Sequence, residues 1–170
     1  INVVMYYAPI IFEQAGTATD VALLQTVAIG IVNLTFTLVA MRLIDGWGRR
    51  PLMLAGTAGM ALALSVLAGA FLLDRTGGIG VLVSILAFVA CFAASLGPVV
   101  WVVLSEIFPI KGRGLLMSVA TFVLWLANFV VSFTFPWLLA NLGGGGTFLL
   151  YAAMSALAFL FVWRAVPETK

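Results

Sequence analysis

The 170 residues are 64% hydrophobic and 8% charged, with no histidine and one cysteine, and the mean hydropathy is +1.24. Soluble domains carry about 25% charged residues, so eight basic and six acidic side chains exclude a soluble globule, and neither a disordered tail nor a disulfide scaffold has this composition. The lone Cys91 lies in an apolar run, which leaves no disulfide or cysteine-based metal site, and a net charge of +2 is too small for nucleic-acid binding. The composition is that of a membrane protein whose solvent is the lipid bilayer.

Charged and Gly/Pro-rich breaks divide the chain into six apolar segments: Ile1 to Ala15, Val21 to Met41, Leu52 to Leu73, Gly80 to Leu104, Leu115 to Leu139 and Phe148 to Val166. A bilayer core needs roughly 20 helical residues. The last five segments meet that length and the first falls short, so the chain is expected to be all-α, with six transmembrane helices of which the first is truncated. It begins in mid-helix without an initiator Met, a basic flank or a small-residue cleavage site, which argues against a signal peptide.

The even-numbered gaps and the C-terminus hold Arg42, Arg49, Arg50, Lys111, Arg113, Arg164 and Lys170, whereas the other side holds Arg75 as its one cation, with Glu13, Asp20 and Asp74. The positive-inside rule places the basic side, and the C-terminus, in the cytoplasm. Every charge lies at a segment end or in a gap. Ion-coupled carriers keep a titrating group within the membrane, so any coupling acid is expected in a part of the protein outside this chain.

Uncharged polar residues form stripes. At 100° per residue, Thr26, Gly30, Asn33 and Thr37 fall within about 60° of one another, and Ser118, Thr121, Trp125, Asn128 and Ser132 within about 80°. On segment one Asn2, Tyr6 and Pro9 share a face, and on segment four Gly97 and Trp101 are one turn apart. Segment three has a small-residue row, Ala55, Gly59 and Ala63, suited to close packing. Segments one, two, four and five are therefore expected to surround a polar cavity, with three and six outside it; the plainer alternative is that these hydroxyls bond their own helices. Pro9 and Pro98 are expected to break segments one and four. Their matching positions suggest two three-helix units in inverted repeat.

Catalysis finds no support. The absence of histidine excludes Ser-His-Asp and Cys-His chemistry and histidine-ligated metal, and no inward carboxylate pair exists for acid-base work. Gly143 to Gly146 has no following Lys-Ser/Thr to make a phosphate loop. No cofactor is implied.

Four motifs carry a resemblance. Asp45-Gly46-Trp47-Gly48-Arg49-Arg50-Pro51 resembles the D-x-x-G-R-R/K-P loop of the major facilitator superfamily, and the Trp101 to Gly114 stretch WVVLSEIFPIKGRG resembles the W-V-x-x-S-E-I-F-P...R-G segment of its sugar porters. Val166 to Lys170 is similar to the P-E-T-K end of their twelfth helix, and Ile1 to Tyr7 to the I-N-x-x-x-Y-Y stretch of their seventh. The D-xylose/proton symporters of bacteria resemble it most, then the glucose facilitators.

This resemblance implies that residues 1–170 are one unit, helices seven to twelve, the C-terminal half of a twelve-helix carrier whose N-terminal half is its partner. It implies transport of a pentose or hexose by alternating access across a bacterial inner membrane, with protons as the coupled ion; a sugar uniporter and a non-transporting sugar sensor are the alternatives. Sugar contacts carry over to Asn2, Tyr6, Asn33, Gly97, Trp101 and Trp125: amides both donate to and accept from vicinal hydroxyls, and indoles offer an apolar platform. Leu124 stands where the xylose symporters carry a Gln, which leaves the sugar open. Tyr7 carries over to an outer gate. At the cytoplasmic ends Asp45, Arg49, Arg50, Glu106 and Arg113 are expected to form a gate in which Glu106 bonds Arg49 or Arg50, with Arg113 as an alternative.

Overall fold

The computed structural model describes residues 1–14, 18–75 and 79–167, and their regular structure is entirely helical: α1 (Asn2–Gln14), α2 (Thr19–Trp47), α3 (Arg49–Leu72), α4 (Ile79–Ala93), α5 (Leu96–Ile107) and α6 (Arg113–Ala165). Ala15 and the terminal Glu168, Thr169 and Lys170 of the P-E-T-K motif lie outside the described residues. Four stretches are long and apolar enough to cross a membrane: Asp20–Trp47, Arg49–Leu72, Ile79–Ile107 and Arg113–Ala165.

The helices do not map one to one onto the six segments. α6 alone is 53 residues, about 80 Å if straight and more than twice a bilayer core. Gly143 breaks it, with φ 67 and ψ 177, a backbone conformation that side-chain-bearing residues avoid. The rings of Phe135 and Tyr151, sixteen positions apart, are separated by 6.3 Å, where a straight helix would separate them by about 24 Å. The chain therefore reverses at one glycine. The gap expected between segments five and six contracts to that residue, because helical pairing resumes on both sides of it.

Segment four breaks, but not at its proline. The interruption is at Ala94–Ser95, with Ser95 at φ −133 and ψ −94, and Pro98 is the third residue of α5, a first-turn position that needs no N–H. Pro9 lies within α1 without ending it. The break seats Ser95 on α3: a Cβ on Gly56 would come within 1.7 Å of Ser95 Oγ, and one on Gly59 within 2.5 Å of Cys91 Sγ. The close-packing face thus runs through Gly56, Gly59 and Ala63. Ala55, expected in that row, is exposed.

Packing centres on α3. Its membrane-length stretch is 44% buried against 17% for α2, so α3 is the more enclosed of the two. Met60, Leu64 and Leu67 join α1, α4 and the α6 residues Phe135 and Phe148 in one core, and Leu52 and Met53 join Ile44, Val99, Val103 and Val162 in a second. That second core gathers the end of α2, the start of α3, α5 and the end of α6 at one end of the bundle, hereafter the arginine end.

Candidate functional site

The arginine end is built on a glycine. Gly48, at φ 92 and ψ 163, joins α2 to α3 with no intervening loop. Arg49 and Arg50 therefore occupy the first turn of α3, the positive end of its dipole, which disfavours cations. Neighbouring helix ends offset this. Arg49 Nη2 donates to Glu106 Oε1 at 2.9 Å and its Nη1 to the Ile44 carbonyl at 3.4 Å, and Arg50 Nη2 donates to the Trp163 carbonyl. Ile44 and Trp163 lie in the last turns of α2 and α6, where carbonyls lack intrahelical donors. Glu106 sits in the last turn of α5, so its carboxylate meets the negative end of that dipole and gains from a guanidinium. The side chains of Arg49 and Glu106 are 15% and 29% exposed, dry enough for a charge-assisted bond to outweigh a surface ion pair.

The expected Arg49–Glu106 pairing is thus present. Arg113 instead donates from Nε to the Phe108 carbonyl at 3.3 Å. Asp45 is exposed in the last turn of α2.

The candidate sugar contacts are more dispersed. Asn2 Nδ2 donates to Asn128 Oδ1 at 2.9 Å, tying α1 to α6. Tyr6, Trp101 and Trp125 lie on the surface at 61%, 39% and 52% exposure, and Asn33 and Gly97 are partly buried. Gly97 is confined by Phe92, whose ring would meet an added Cβ at 3.3 Å. Three of the stripe hydroxyls follow the plainer alternative: Thr26, Thr37 and Ser118 donate to the carbonyls of Ala22, Asn33 and Gly114 on their own helices.

A half-open cavity of about 540 Å³ lies between α1, α3, α4 and the two arms of α6, with Asn2, Asn128, Thr134, Tyr151 and Ser155 as its polar lining. Of the six candidate sugar residues only Asn2 borders it. Met60 and Leu64 of α3 and Tyr151 to Ala158 of α6 line it and α2 does not, so this is not the cavity expected between segments one, two, four and five. Asn128, a member of the α6 stripe, is the partner that the site residues taken singly did not include. Tyr7, expected at the outer gate, packs its ring on Phe135 at 4.9 Å, and its hydroxyl donates to the Ser132 carbonyl.

The bundle thus combines apolar spans, a break in its fourth segment and arginines tied to neighbouring helix ends. The family described as "Sugar (and other) transporter" matches residues 1–170. The chain is 48% identical over 176 residues to the D-xylose-proton symporter of Escherichia coli K12, covering all of this chain and 36% of that protein. It is 46% identical to the glucose facilitated diffusion protein of Zymomonas mobilis, covering all of this chain and 37% of that one. The solved structure of the proton:xylose symporter XylE bound to 6-bromo-6-deoxy-D-glucose superposes with a TM-score of 0.89 at 48% identity, over 99% of this chain and 37% of that chain. The chain belongs to the sugar transporter family of the major facilitator superfamily. It spans somewhat over a third of the length of these relatives, which are transporters and not enzymes.

Proposed function

We propose that residues 1–170 form the C-terminal half of a twelve-helix carrier that moves a monosaccharide by alternating access, built as a 3+3 inverted repeat with α1, α2, α3, α4–α5 and the two arms of α6 as its six crossings. The arginine end and the C-terminus face the cytoplasm, a reading that the seven basic residues on that side support. The match of the whole chain to the sugar transporter family carries this reading. Asn2, Tyr6, Asn33, Gly97, Trp101 and Trp125 contact the sugar, and exposure of Tyr6, Trp101 and Trp125 on this half suits a site closed by a second half. The Arg49–Glu106 bond holds the cytoplasmic gate, with Arg50, Asp45 and Arg113 around it, and Tyr7 stands at the opposite gate.

Proton symport is the first reading of the coupling, from the likeness to the D-xylose-proton symporter, with the titrating acid in the N-terminal half. Uniport is the second. It draws on the likeness to a glucose facilitated diffusion protein and on spans without a mid-membrane charge.

The test is uptake by the complete carrier in liposomes. Saturable monosaccharide uptake is expected, and Trp101→Ala is expected to weaken sugar affinity by at least about tenfold. Unchanged affinity in well-inserted Trp101→Ala would return that indole to the role of a bilayer-interface anchor. Sugar-driven acidification of the lumen separates symport from uniport.

A further inference from the structure

Pro136 lies within α6, in the arm that runs beside α1. Without an N–H it deprives the carbonyl four residues earlier, that of Ser132, of its helical donor. The backbone stays helical through this point, since Gly143 is the non-helical position within α6, so that carbonyl is held in helical geometry without its regular i+4 donor.

A donor arrives from another helix. The Tyr7 hydroxyl reaches the Ser132 oxygen at 3.4 Å, a long bond. Its aim is held by Phe135, whose ring is completely buried and lies 4.9 Å from that of Tyr7 at 42°. The hydroxyl of Ser132 itself is buried and has no hydrogen-bond partner among the described residues, so the contact belongs to the backbone carbonyl. Beside it opens a cleft of about 230 Å³ bounded by Tyr7, Ile10, Phe135, Pro136, Leu139 and Ala140.

We infer that Tyr7 is a positioning residue: its hydroxyl supplies the donor that Pro136 removes from α6, and this bond ties α1 to α6 at the end of the bundle away from the arginines. An unsatisfied carbonyl at membrane depth is costly. Parting α1 from α6 therefore requires a replacement donor, such as water entering the cleft. The penalty exists only because residue 136 is a proline, and a residue with an N–H there would satisfy the carbonyl from within the helix and make the tyrosine hydroxyl dispensable. The consequence for gating rests on the carrier reading above; the bond and its dependence on Pro136 do not.

The experiment is a double-mutant cycle in the complete carrier, read by thiol labelling of Ala140→Cys at the cleft, with the labelling of Cys91 in the parent subtracted. No sugar is needed, so failure of transport and failure of this inference remain separate results. Tyr7→Phe should raise the labelling rate about fivefold, the equivalent of one neutral hydrogen bond. In the Pro136→Ala background the same change should leave the rate within experimental error. Ser132→Ala should label like the parent, because the acceptor is main-chain. Equal increases with and without Pro136, or no increase on Tyr7→Phe, would overturn the inference. If Pro136→Ala reaches the membrane poorly, Pro136→Gly also restores the N–H and repeats the comparison.

Discussion

The two ends of the bundle are fastened by different chemistry. At the arginine end, guanidinium groups of α3 reach a carboxylate on α5 and terminal carbonyls on α2 and α6, so one turn of helix collects three others. At the tyrosine end, α1 meets α6 through one neutral hydroxyl, an aromatic contact and an adjoining cleft. Charge-assisted bonds are shorter and stronger than neutral ones, and the arginine end adds a close-packed seam in which Gly56 admits Ser95. The bundle thus has one joint of high directional strength and one of low strength.

The largest effect expected from this contrast is on folding. A methyl group on Gly56 would collide with Ser95 Oγ and Cβ and approach the Cys91 carbonyl, whereas one on Gly145 would chiefly meet the side-chain carbons of Leu72. A mobile leucine can give way and a helix break cannot. Gly56→Ala should therefore cost about 1 to 3 kcal/mol as overpacking, while Gly145→Ala should be close to neutral, its crowding offset by the better helix propensity of alanine. Thermal unfolding of the purified carrier reads both. Ser95→Gly should rescue Gly56→Ala but not Gly145→Ala, and equal damage from the two glycine changes would erase the distinction between the ends.

Next in size is the ion pair. Arg49→Ala removes the 2.9 Å bond, and Glu106→Gln removes the charge that strengthens it. Hydrogen bonds to charged groups contribute about 1.5 to 3 kcal/mol, and the partial exposure of Glu106 moves the expectation to the lower end of that range. Accessibility of the cavity from the arginine side should rise roughly tenfold in both variants. Arg49→Lys keeps the charge but loses the second nitrogen used on Ile44, and should fall between. A distance measurement across that face checks all three, and wild-type accessibility in Glu106→Gln would show that the pair does not latch.

The arginine end was legible in the sequence because charges in an apolar chain are conspicuous and the loop motif places them. The pairing of Glu106 with Arg49 could be expected from opposite charge together with the family resemblance. The caps on Ile44 and Trp163 could not, since they are backbone carbonyls whose accessibility depends on where α2 and α6 stop. The fourth segment was read as broken, yet the break fell at Ser95, because Pro98 at the third position of a helix lacks no partner. At the tyrosine end Pro136 was in plain view within segment five, and the consequence was missed because its orphaned carbonyl is four residues away and its donor on another helix. It also lacks a counterpart in segment two, so prolines alone are weaker support for the repeat than Pro9 and Pro98 suggested. The stripe members do not share one use: Thr26 and Thr37 bond their own helix, while Asn128 crosses to Asn2.

The smallest effect separates the two joints by salt. Screening lengths fall from about 8 Å at physiological ionic strength to about 3 Å at 1 M, which weakens the attraction between Arg49 and Glu106 only to the extent that ions approach side chains 15% and 29% exposed. The Tyr7 bond joins two neutral groups and has no such dependence. Accessibility should therefore be measured for Glu106→Gln and Tyr7→Phe at both ionic strengths, with the wild type beside each. The ratio of Glu106→Gln to wild type should shrink by about twofold at 1 M salt, because the intact pair is weakened while the variant has nothing left to screen. The ratio for Tyr7→Phe should stay constant. If both ratios respond alike, salt is acting on the bundle as a whole and the two ends do not differ in kind. If neither responds, the ion pair is shielded well enough that its strength comes from the hydrogen bond to the fixed guanidinium and not from net charge, and Glu106→Gln should then be milder than Glu106→Ala, since an amide still accepts from Arg49.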